Sequence, residues 1–251
     1  MDVGLRDRVV LVTGGSSGIG RAAARAFAAE GAQVAVTYRE HRENAEAEGF
    51  AVPMDLERPE TIQGAVDAVV EHFGRLDVLV VSAVRWPQAV AERLEELPAD
   101  EWRALLRSNL EGAFEAVRAA LPPMRAAGWG RIVLISSGIG EEGVPTIWGY
   151  AGAKAGLVGL ARSVAWDAGR DGILINVVGT GFTRTDRNRE HFGDEIFKRV
   201  GTMIPQRRVS EAEDVARLIV FLGSGANTSI TGEVVREGTS NARTPLGVMA
   251  E

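Results

Sequence analysis

A tyrosine and a lysine lie four positions apart in the segment Tyr150-Ala-Gly-Ala-Lys154. On an α-helix, residues i and i+4 share a face, so the lysine ammonium is expected near the phenol oxygen. A nearby positive charge favours the phenolate and lowers the pKa of a tyrosine from about 10. The pair therefore predicts that Tyr150, assisted by Lys154, carries a proton to or from the oxygen of a carbonyl or alcohol substrate.

Lysine is rare in this chain. Only two of the 28 basic residues are lysines, Lys154 and Lys198, and the others are arginines. This bias indicates a background in which arginine replaces lysine wherever a positive charge is enough. A lysine that stands against such a bias is a candidate for chemistry that arginine cannot perform.

Two further polar sites are candidates for the same crevice. Ser136-Ser137 ends a predicted strand, and ligands of parallel sheets bind beyond the carboxyl ends of strands. Asn109 lies in the middle of a predicted helix, where asparagine is mildly unfavourable. Each has a plain structural alternative: the serines could form a strand-end turn, and Asn109 could cap a local kink.

A glycine-rich turn, Thr13 to Gly20, lies between the first predicted strand and the first predicted helix. Glycine permits a tight turn and close approach to a pyrophosphate, which the free N–H groups of a helix N-terminus can bind. The alternative is a turn that serves packing alone. The residues predicted to contact a dinucleotide are Gly14, Ser16, Ser17, Gly18, Ile19 and Gly20.

The end of the second strand indicates which dinucleotide binds. An acidic residue there would bind the ribose 2′-hydroxyl of NAD. This chain has Tyr38-Arg39 instead, and a guanidinium can grip a 2′-phosphate with two hydrogen bonds. Glu40 and Glu43 would oppose a phosphate, and Arg39 could equally be a solvated strand-end residue. The sequence favours NADP(H) over NAD(H).

Strands and helices alternate along the whole chain, and the strands are apolar runs. This pattern predicts an α/β fold: a single doubly wound Rossmann-type domain over residues 1–251, with a seven-stranded parallel sheet flanked by helices. The least regular segment, 179–208, is expected to include a substrate loop at about 182–207. Predicted strands are 8–13, 33–38, 50–54, 76–81, 131–135, 173–178 and 233–235; predicted helices are 21–30, 59–73, 99–119, 150–168 and 211–222.

Composition excludes several classes of protein. The net charge of −6 and the pI near 5.3 argue against a nucleic-acid partner. The chain has no cysteine, and its three histidines are scattered, so no metal site is expected. No apolar stretch is long enough for a membrane helix, and the short, charged amino terminus is not a signal peptide. A cytoplasmic location is the expectation.

Together these residues resemble the short-chain dehydrogenase/reductase family over nearly the whole chain. The resemblance implies that Asp55, with Leu56 beside it, contacts the adenine, and that Lys154 also binds the nicotinamide ribose. It implies that Ser137 holds the substrate carbonyl and that Asn109 places a water that relays protons to Lys154. It also implies a homo-oligomer, a tetramer or dimer paired through the last strand and two long helices. Further cofactor contacts that it implies are Ser82, Ala83, Gly181, Thr183 and Thr185.

The chain departs from the family pattern in four places. Val84 stands where the family has a glycine after the fourth strand, and Thr180 replaces a proline before Gly181. The segment 40–49 is too short for the usual helix, and Glu237-Gly-Thr239 replaces Asp-Gly-Gly. Val84 is expected to reshape the wall of the substrate pocket.

The resulting hypothesis is an NADPH-dependent ketoreductase acting on a bulky, partly apolar small molecule, possible substrates being polyketide-type or acyl ketones. One alternative is an NAD(P)-dependent alcohol or sugar dehydrogenase that works oxidatively, and another is a nucleotide-binding protein without catalysis. An enoyl reductase is disfavoured, since those relatives space tyrosine and lysine more widely. Predicted substrate contacts are Val84, Trp86, Trp148, Phe182 and Phe192, although such aromatics could equally close a lid or an oligomer interface.

Overall fold

The computed structural model describes residues 3–89 and 91–238. Seven parallel strands form one sheet in the order β3-β2-β1-β4-β5-β6-β9, and β7 and β8 form a separate parallel pair. The strands are β1 Val9–Thr13, β2 Gln33–Tyr38, β3 Phe50–Pro53, β4 Val78–Val81, β5 Gly130–Ser137, β6 Ile173–Thr180, β7 Thr183–Arg184, β8 Ser210–Glu211 and β9 Val234–Glu237.

Helices cover both faces of the sheet, and the predicted fold class is confirmed. One core packs α3, α5 and α7 against the sheet, and the other packs α1 and α9 against the opposite face. The helices are α1 Gly18–Ala29, α2 Arg42–Glu46, α3 Pro59–Phe73, α4 Ala99–Leu106, α5 Gly112–Ala127, α6 Ile139–Glu142, α7 Trp148–Ala168, α8 Asp186–Met203 and α9 Ala212–Leu222.

The strand order reverses between β1 and β4, because the chain first builds outward through β2 and β3 and then returns to the other side of β1. At such a point the connections leave in opposite directions and open a crevice beyond the carboxyl ends of the strands. The short α2 agrees with the reduced length expected for segment 40–49.

Two segments differ from the prediction. The predicted helix 99–119 is α4 and α5 joined by a π-helical turn, Arg107–Glu111, and α5 continues through Pro122 and Pro123 to Ala127. The expected irregular segment near 182–207 is largely the helix α8, in which Gly193 breaks the helical backbone at φ 71°. Thr185 begins α8 by accepting a hydrogen bond from the Asn188 backbone, a capping signal that the prediction overlooked.

Candidate active site

Tyr150 and Lys154 lie on the first turns of α7, where this helix crosses the carboxyl end of β5. Each residue is only 5% exposed. The Lys154 ammonium donates a 2.7 Å hydrogen bond to the Ile135 carbonyl, and the Ser136 hydroxyl donates one of 2.9 Å to the Lys154 carbonyl. These two bonds attach α7 to β5, so the tyrosine and lysine are held rigidly at the crevice.

The pKa of Tyr150 is shifted in the direction opposite to the one that the sequence predicts. Burial raises the pKa of Tyr150 to about 12, and a hydrogen bond with Ser137 and the charge of Arg187 only partly offset this rise. Burial lowers the pKa of Lys154 to about 8. The predicted lowering of the Tyr150 pKa by Lys154 is therefore wrong: both side chains are withdrawn from water, which penalises the charged form of each.

Asn109 lies in the π-helical turn between α4 and α5 and is 3% exposed. Its side-chain amide donates to the Arg85 carbonyl at 2.8 Å, and its amide oxygen accepts from the Arg85 backbone N–H at 2.9 Å. Asn109 therefore fixes the loop after β4. The water relay from Asn109 to Lys154 that the family resemblance implies stays a prediction.

Glu101 is a buried acidic residue that positions the loop after β4, and the sequence analysis did not single it out. It is 8% exposed and accepts two hydrogen bonds of 3.1 Å from the Arg85 guanidinium and one of 2.7 Å from the Gln88 backbone. The hydrogen bond with Arg85 holds the pKa of this carboxyl below its usual value. Glu101 and Asn109 together anchor the loop that carries Trp86.

Trp86 covers Tyr150, the candidate proton donor. Its ring stacks on the Tyr150 ring with centroids 4.7 Å apart and planes 11° from parallel. The Arg187 guanidinium lies over the Trp86 ring, 4.9 Å from the centroid. The predicted substrate residue Trp86 is thus in contact with the candidate proton donor, and Arg187 is a neighbour that the sequence analysis did not single out.

The glycine turn is built as the sequence predicts. A Cβ on Gly14, at φ 65°, would lie 2.8 Å from the Ala83 Cα, and one on Gly20 would lie 2.3 Å from the Gly14 carbonyl oxygen. Neither position accommodates a side chain. The buried Thr13 hydroxyl accepts hydrogen bonds from the Ser82 and Ala83 backbone N–H groups at 3.0 and 3.1 Å, which ties the turn to the end of β4.

The start of α1 fits a dinucleotide pyrophosphate. Ser17 is the residue before the helix, and within the described part of the chain its side chain makes no capping hydrogen bond. The first turn, with Ile19, carries no acidic residue. The N–H groups at this end and the positive end of the helix dipole therefore face the crevice without a competing anion from the first turn. Ser16 precedes Ser17 in the same turn.

A cavity of about 300 Å³ lies at the end of β2 and β3, where the adenosine half of a dinucleotide is expected. Arg39 and Asp55 line it, together with Arg58, which was not predicted. The Arg39 side chain is 64% exposed and pairs with Glu40 at 2.8 Å, so the opposing carboxylate that the sequence indicated is in contact with it. Tyr38 is half-buried beside Arg39, and Leu56 packs against Gly112.

The segment after β6 closes the crevice. The Gly181 backbone N–H donates to the Glu237 carbonyl at 3.0 Å, and the buried Thr183 hydroxyl donates to the Gly181 carbonyl at 3.0 Å. Thr185 caps α8 and lies beside Gly18 of the glycine turn. This segment therefore reaches back to the proposed pyrophosphate site.

The remaining predicted substrate residues fall into two groups. Val84 is 38% exposed in the loop after β4, and Trp148 is the first residue of α7, six residues before Lys154. Phe182 stacks on Phe197 at 5.0 Å, so it belongs to a small cluster that packs α8 onto the domain, with Phe192 at the cluster's exposed edge. These phenylalanines agree better with the lid alternative than with direct substrate contact.

Known proteins with the same sequence pattern support this interpretation. A family model described as enoyl-(acyl carrier protein) reductase matches residues 14–236. The 3-oxoacyl-[acyl-carrier-protein] reductase FabG of Staphylococcus aureus is 34% identical over 90% of this chain and 94% of its own. The 3-oxoacyl-[acyl-carrier-protein] reductase MabA of Mycobacterium tuberculosis is 35% identical over 91% of this chain and 90% of its own.

Solved structures of dehydrogenases have the same fold as this chain. A dehydrogenase/reductase from Sinorhizobium meliloti matches with a TM-score of 0.81 at 32% identity, over 94% of this chain and 95% of its own. A putative gluconate dehydrogenase from Agrobacterium tumefaciens matches with a TM-score of 0.86 at 28% identity, over 95% and 97%. Fold and site define an NAD(P)-dependent oxidoreductase that acts on carbonyl and alcohol groups. The chain belongs to the short-chain dehydrogenase/reductase family.

Proposed function

We propose that this protein is an NADPH-dependent ketoreductase in which Tyr150 is the proton donor to a bulky, partly apolar substrate such as an acyl or polyketide-type ketone. The observation that carries the proposal is the buried Tyr150, whose pKa is influenced by Ser137 and whose helix is attached through Lys154 to the end of β5, at the crevice that the glycine turn enters. The similarity to 3-oxoacyl reductases supports carbonyl reduction as the reaction type.

Ser137, Tyr150 and Lys154 have different roles in the proposed reaction. When bound, the dinucleotide supplies the hydride that reaches the carbonyl carbon. The hydroxyls of Ser137 and Tyr150 donate hydrogen bonds to the carbonyl oxygen, where negative charge develops. Tyr150 then gives its proton to that oxygen, which completes the alcohol. Lys154 stabilises the resulting phenolate because its ammonium lies on the same helix face, 5.6 Å from the tyrosine ring centroid.

The pKa of Tyr150 suits the reductive direction. A phenol with a pKa of about 12 is protonated at neutral pH and is ready to donate. The spacing of Tyr150 and Lys154 argues against enoyl reduction, despite the description of the matched family model.

A ketone panel tests the proposed function. The purified protein is mixed with NADPH and a set of aliphatic, aromatic and 3-oxoacyl ketones, and NADPH oxidation is followed optically. We expect turnover with at least one bulky ketone and none with the matching enoyl compounds. Tight NADPH binding without turnover on any carbonyl compound would favour the alternative of a non-catalytic nucleotide-binding protein.

The preference for NADP(H) is a second part of the proposal. It is supported by Arg39, which lines the adenosine cavity with an exposed guanidinium. Arg39→Ala is expected to raise KM for NADPH about 10-fold, the value of one lost charge-assisted pair, and to leave KM for NADH unchanged. Arg42→Ala, which removes an exposed arginine on α2 paired with Glu46, is the control. An unchanged KM for NADPH in Arg39→Ala would contradict the assignment.

An oxidative sugar or alcohol dehydrogenase is the second candidate. It is favoured by one observation, the structural similarity to a putative gluconate dehydrogenase. Initial rates in both directions with a matched ketone and alcohol discriminate the two. We expect reduction to be faster at pH 7, since Tyr150 is protonated there.

We also propose a homo-oligomer. Its support is a pair of large aromatic side chains on long helices, Phe114 on α5 and Trp166 on α7, which are 45% and 90% exposed. Sedimentation should then give a dimer or tetramer, and Trp166→Glu should weaken it. Within residues 3–89 and 91–238 no helix is long and apolar enough to cross a membrane. The cytoplasmic location expected from the sequence stays a prediction for cell fractionation.

A further inference from the structure

Arg187 lies in the first turn of α8 at the substrate side of Tyr150. Its guanidinium covers the Trp86 ring at 4.9 Å, and that ring covers Tyr150 at 4.7 Å. The three side chains form one stack, which leads from the surface of α8 to the candidate proton donor. The position of Arg187 is therefore set by an aromatic contact and not by an ion pair.

The other arginines around Arg187 are compensated by carboxylates. Arg184 pairs with Glu211, Arg189 pairs with Asp194, and Asp186 is taken by Arg21 of α1. Within residues 3–89 and 91–238, no carboxylate lies within 4 Å of the Arg187 guanidinium. A positive charge without an acidic neighbour thus faces the reaction site.

The electrostatics of Arg187 and Tyr150 are linked. Burial lowers the pKa of Arg187, and the Tyr150 hydroxyl raises it. In the opposite direction, Arg187 lowers the pKa of Tyr150 against the larger effect of burial. The charge of Arg187 therefore reaches the atom that is proposed to donate the proton.

We propose that Arg187 is a specificity-determining residue that binds a carboxylate of the substrate, so that the natural ketone is an oxo acid. This inference rests on the proposed ketoreductase function and names its substrate class. A guanidinium offers parallel N–H donors that match the two oxygens of a carboxylate. Because the Trp86 ring lies between Arg187 and Tyr150, the carbon chain between the carboxylate at Arg187 and the carbonyl at Tyr150 would have to follow the edge of that ring.

The experiment compares an oxo acid with its methyl ester, which differ only in the charge that Arg187 would bind. A series of oxo acids is added to the ketone panel, the best of them is paired with its methyl ester, and kcat/KM is measured for both compounds at saturating NADPH. We expect the wild type to prefer the acid. Arg187→Gln is expected to lower kcat/KM for the acid 10- to 100-fold and to change that for the ester less than 3-fold, since hydrogen bonds to charged groups contribute on this scale.

Two further variants control this result. Arg187→Lys keeps the charge without the forked donors and should restore part of the preference for the acid. Arg199→Gln removes an exposed arginine of the same helix beyond Gly193 and should leave both substrates unaffected. Equal losses with acid and ester in Arg187→Gln, or a raised KM for NADPH alone, would overturn the inference.

The failure of this inference is distinguishable from failure of the proposed function. If the wild type reduces neutral ketones and esters as well as acids, the ketoreductase proposal stands and the carboxylate site is wrong. If no carbonyl compound of either charge is reduced, the proposed function itself is wrong.

Discussion

The parallel strands of the central sheet begin at one end of the sheet, here called its amino-terminal edge, and finish at the other, its carboxyl-terminal edge. Buried charged groups have different surroundings at these two edges. At the amino-terminal edge, Asp77 is fully buried and is surrounded by donors: Arg8 at 2.8 Å, Arg75 at 2.6 Å and the Val9 backbone N–H at 2.9 Å. At the carboxyl-terminal edge, Lys154 is just as inaccessible, yet its three ammonium protons have one hydrogen-bond acceptor among the described residues, the Ile135 carbonyl.

Arg131 shows how completely the amino-terminal edge satisfies its groups. This 6% exposed guanidinium donates to the carbonyls of Gly130, Gly172, Ser224 and Asn227 at 2.8 to 3.3 Å. It also lies over Trp129, 4.4 Å from the ring centroid. Burial still lowers the pKa of Arg131 to about 10, but this guanidinium donates four hydrogen bonds to main-chain carbonyls.

This difference separates structural charges from reactive ones. Buried polar groups in native proteins are nearly always hydrogen-bonded, so spare donors in a buried site indicate a partner that arrives from outside. At the carboxyl-terminal edge these spare donors lie beside Tyr150, Ser137 and the start of α1. The buried polar groups of the amino-terminal edge are thus used within the fold, whereas those at the carboxyl-terminal edge are the ones proposed to meet substrate and cofactor.

The largest expected effect comes from Tyr150→Phe, which removes only the proton donor. Turnover with the best ketone of the panel is expected to fall about 10²- to 10⁴-fold, the usual contribution of a general acid, while NADPH binding and thermal stability stay nearly unchanged. Steady-state kinetics and a fluorescence titration with NADPH measure these effects. An active Tyr150→Phe enzyme would refute the mechanism.

Asp77→Ala tests the structural role of the amino-terminal edge. This change removes the acceptor shared by Arg8, Arg75 and the Val9 backbone, and it should lower the free energy of unfolding by about 3 kcal/mol. Turnover per folded molecule should be unchanged. Urea unfolding is the measurement, with Asp100→Ala, at a 96% exposed carboxylate, as the control that costs little. Loss of kcat without loss of stability would contradict the assignment of Asp77 to stability and not to catalysis.

A smaller effect is expected in the pH dependence of stability. The folded pKa of Lys154 is about 8, below the usual 10.5, so the folded state binds fewer protons than the unfolded state between these pH values. The free energy of unfolding should therefore rise with pH from about 8 to about 10, by at most about 3 kcal/mol. Above pH 10 the raised pKa of Tyr150 acts in the opposite direction, because the unfolded tyrosine then loses its proton first.

Lys154→Met tests this assignment, because it removes the buried ammonium. In this variant the rise above pH 8 should disappear, whereas Lys198→Met, at a 70% exposed lysine, should keep it. Denaturant titrations at a series of pH values give the comparison. A rise that persists in Lys154→Met would place the titrating group elsewhere.

The sequence predicted most of the fold and the positions of Tyr150 and Lys154, because strand alternation, glycine geometry and helical spacing are local properties. It missed the direction of the Tyr150 pKa, since burial depends on how α7 packs on β5. The roles of Glu101 and Arg187 also escaped prediction, because they act on residues far away along the chain. The helix α8 was mistaken for a loop since its polar composition hides the cap at Thr185. The expected change at Glu237-Gly-Thr239 lies partly outside the described residues.

The central claim is that Tyr150 meets the substrate carbonyl in a pocket bounded by Trp86. A crystal structure with NADP(H) and the best ketone of the panel tests it most directly. We predict the carbonyl oxygen within hydrogen-bonding distance of both the Tyr150 and Ser137 hydroxyls, with the substrate chain against Trp86 and Arg187. A ketone bound away from Tyr150, with its carbonyl oxygen held by other groups, would contradict the account.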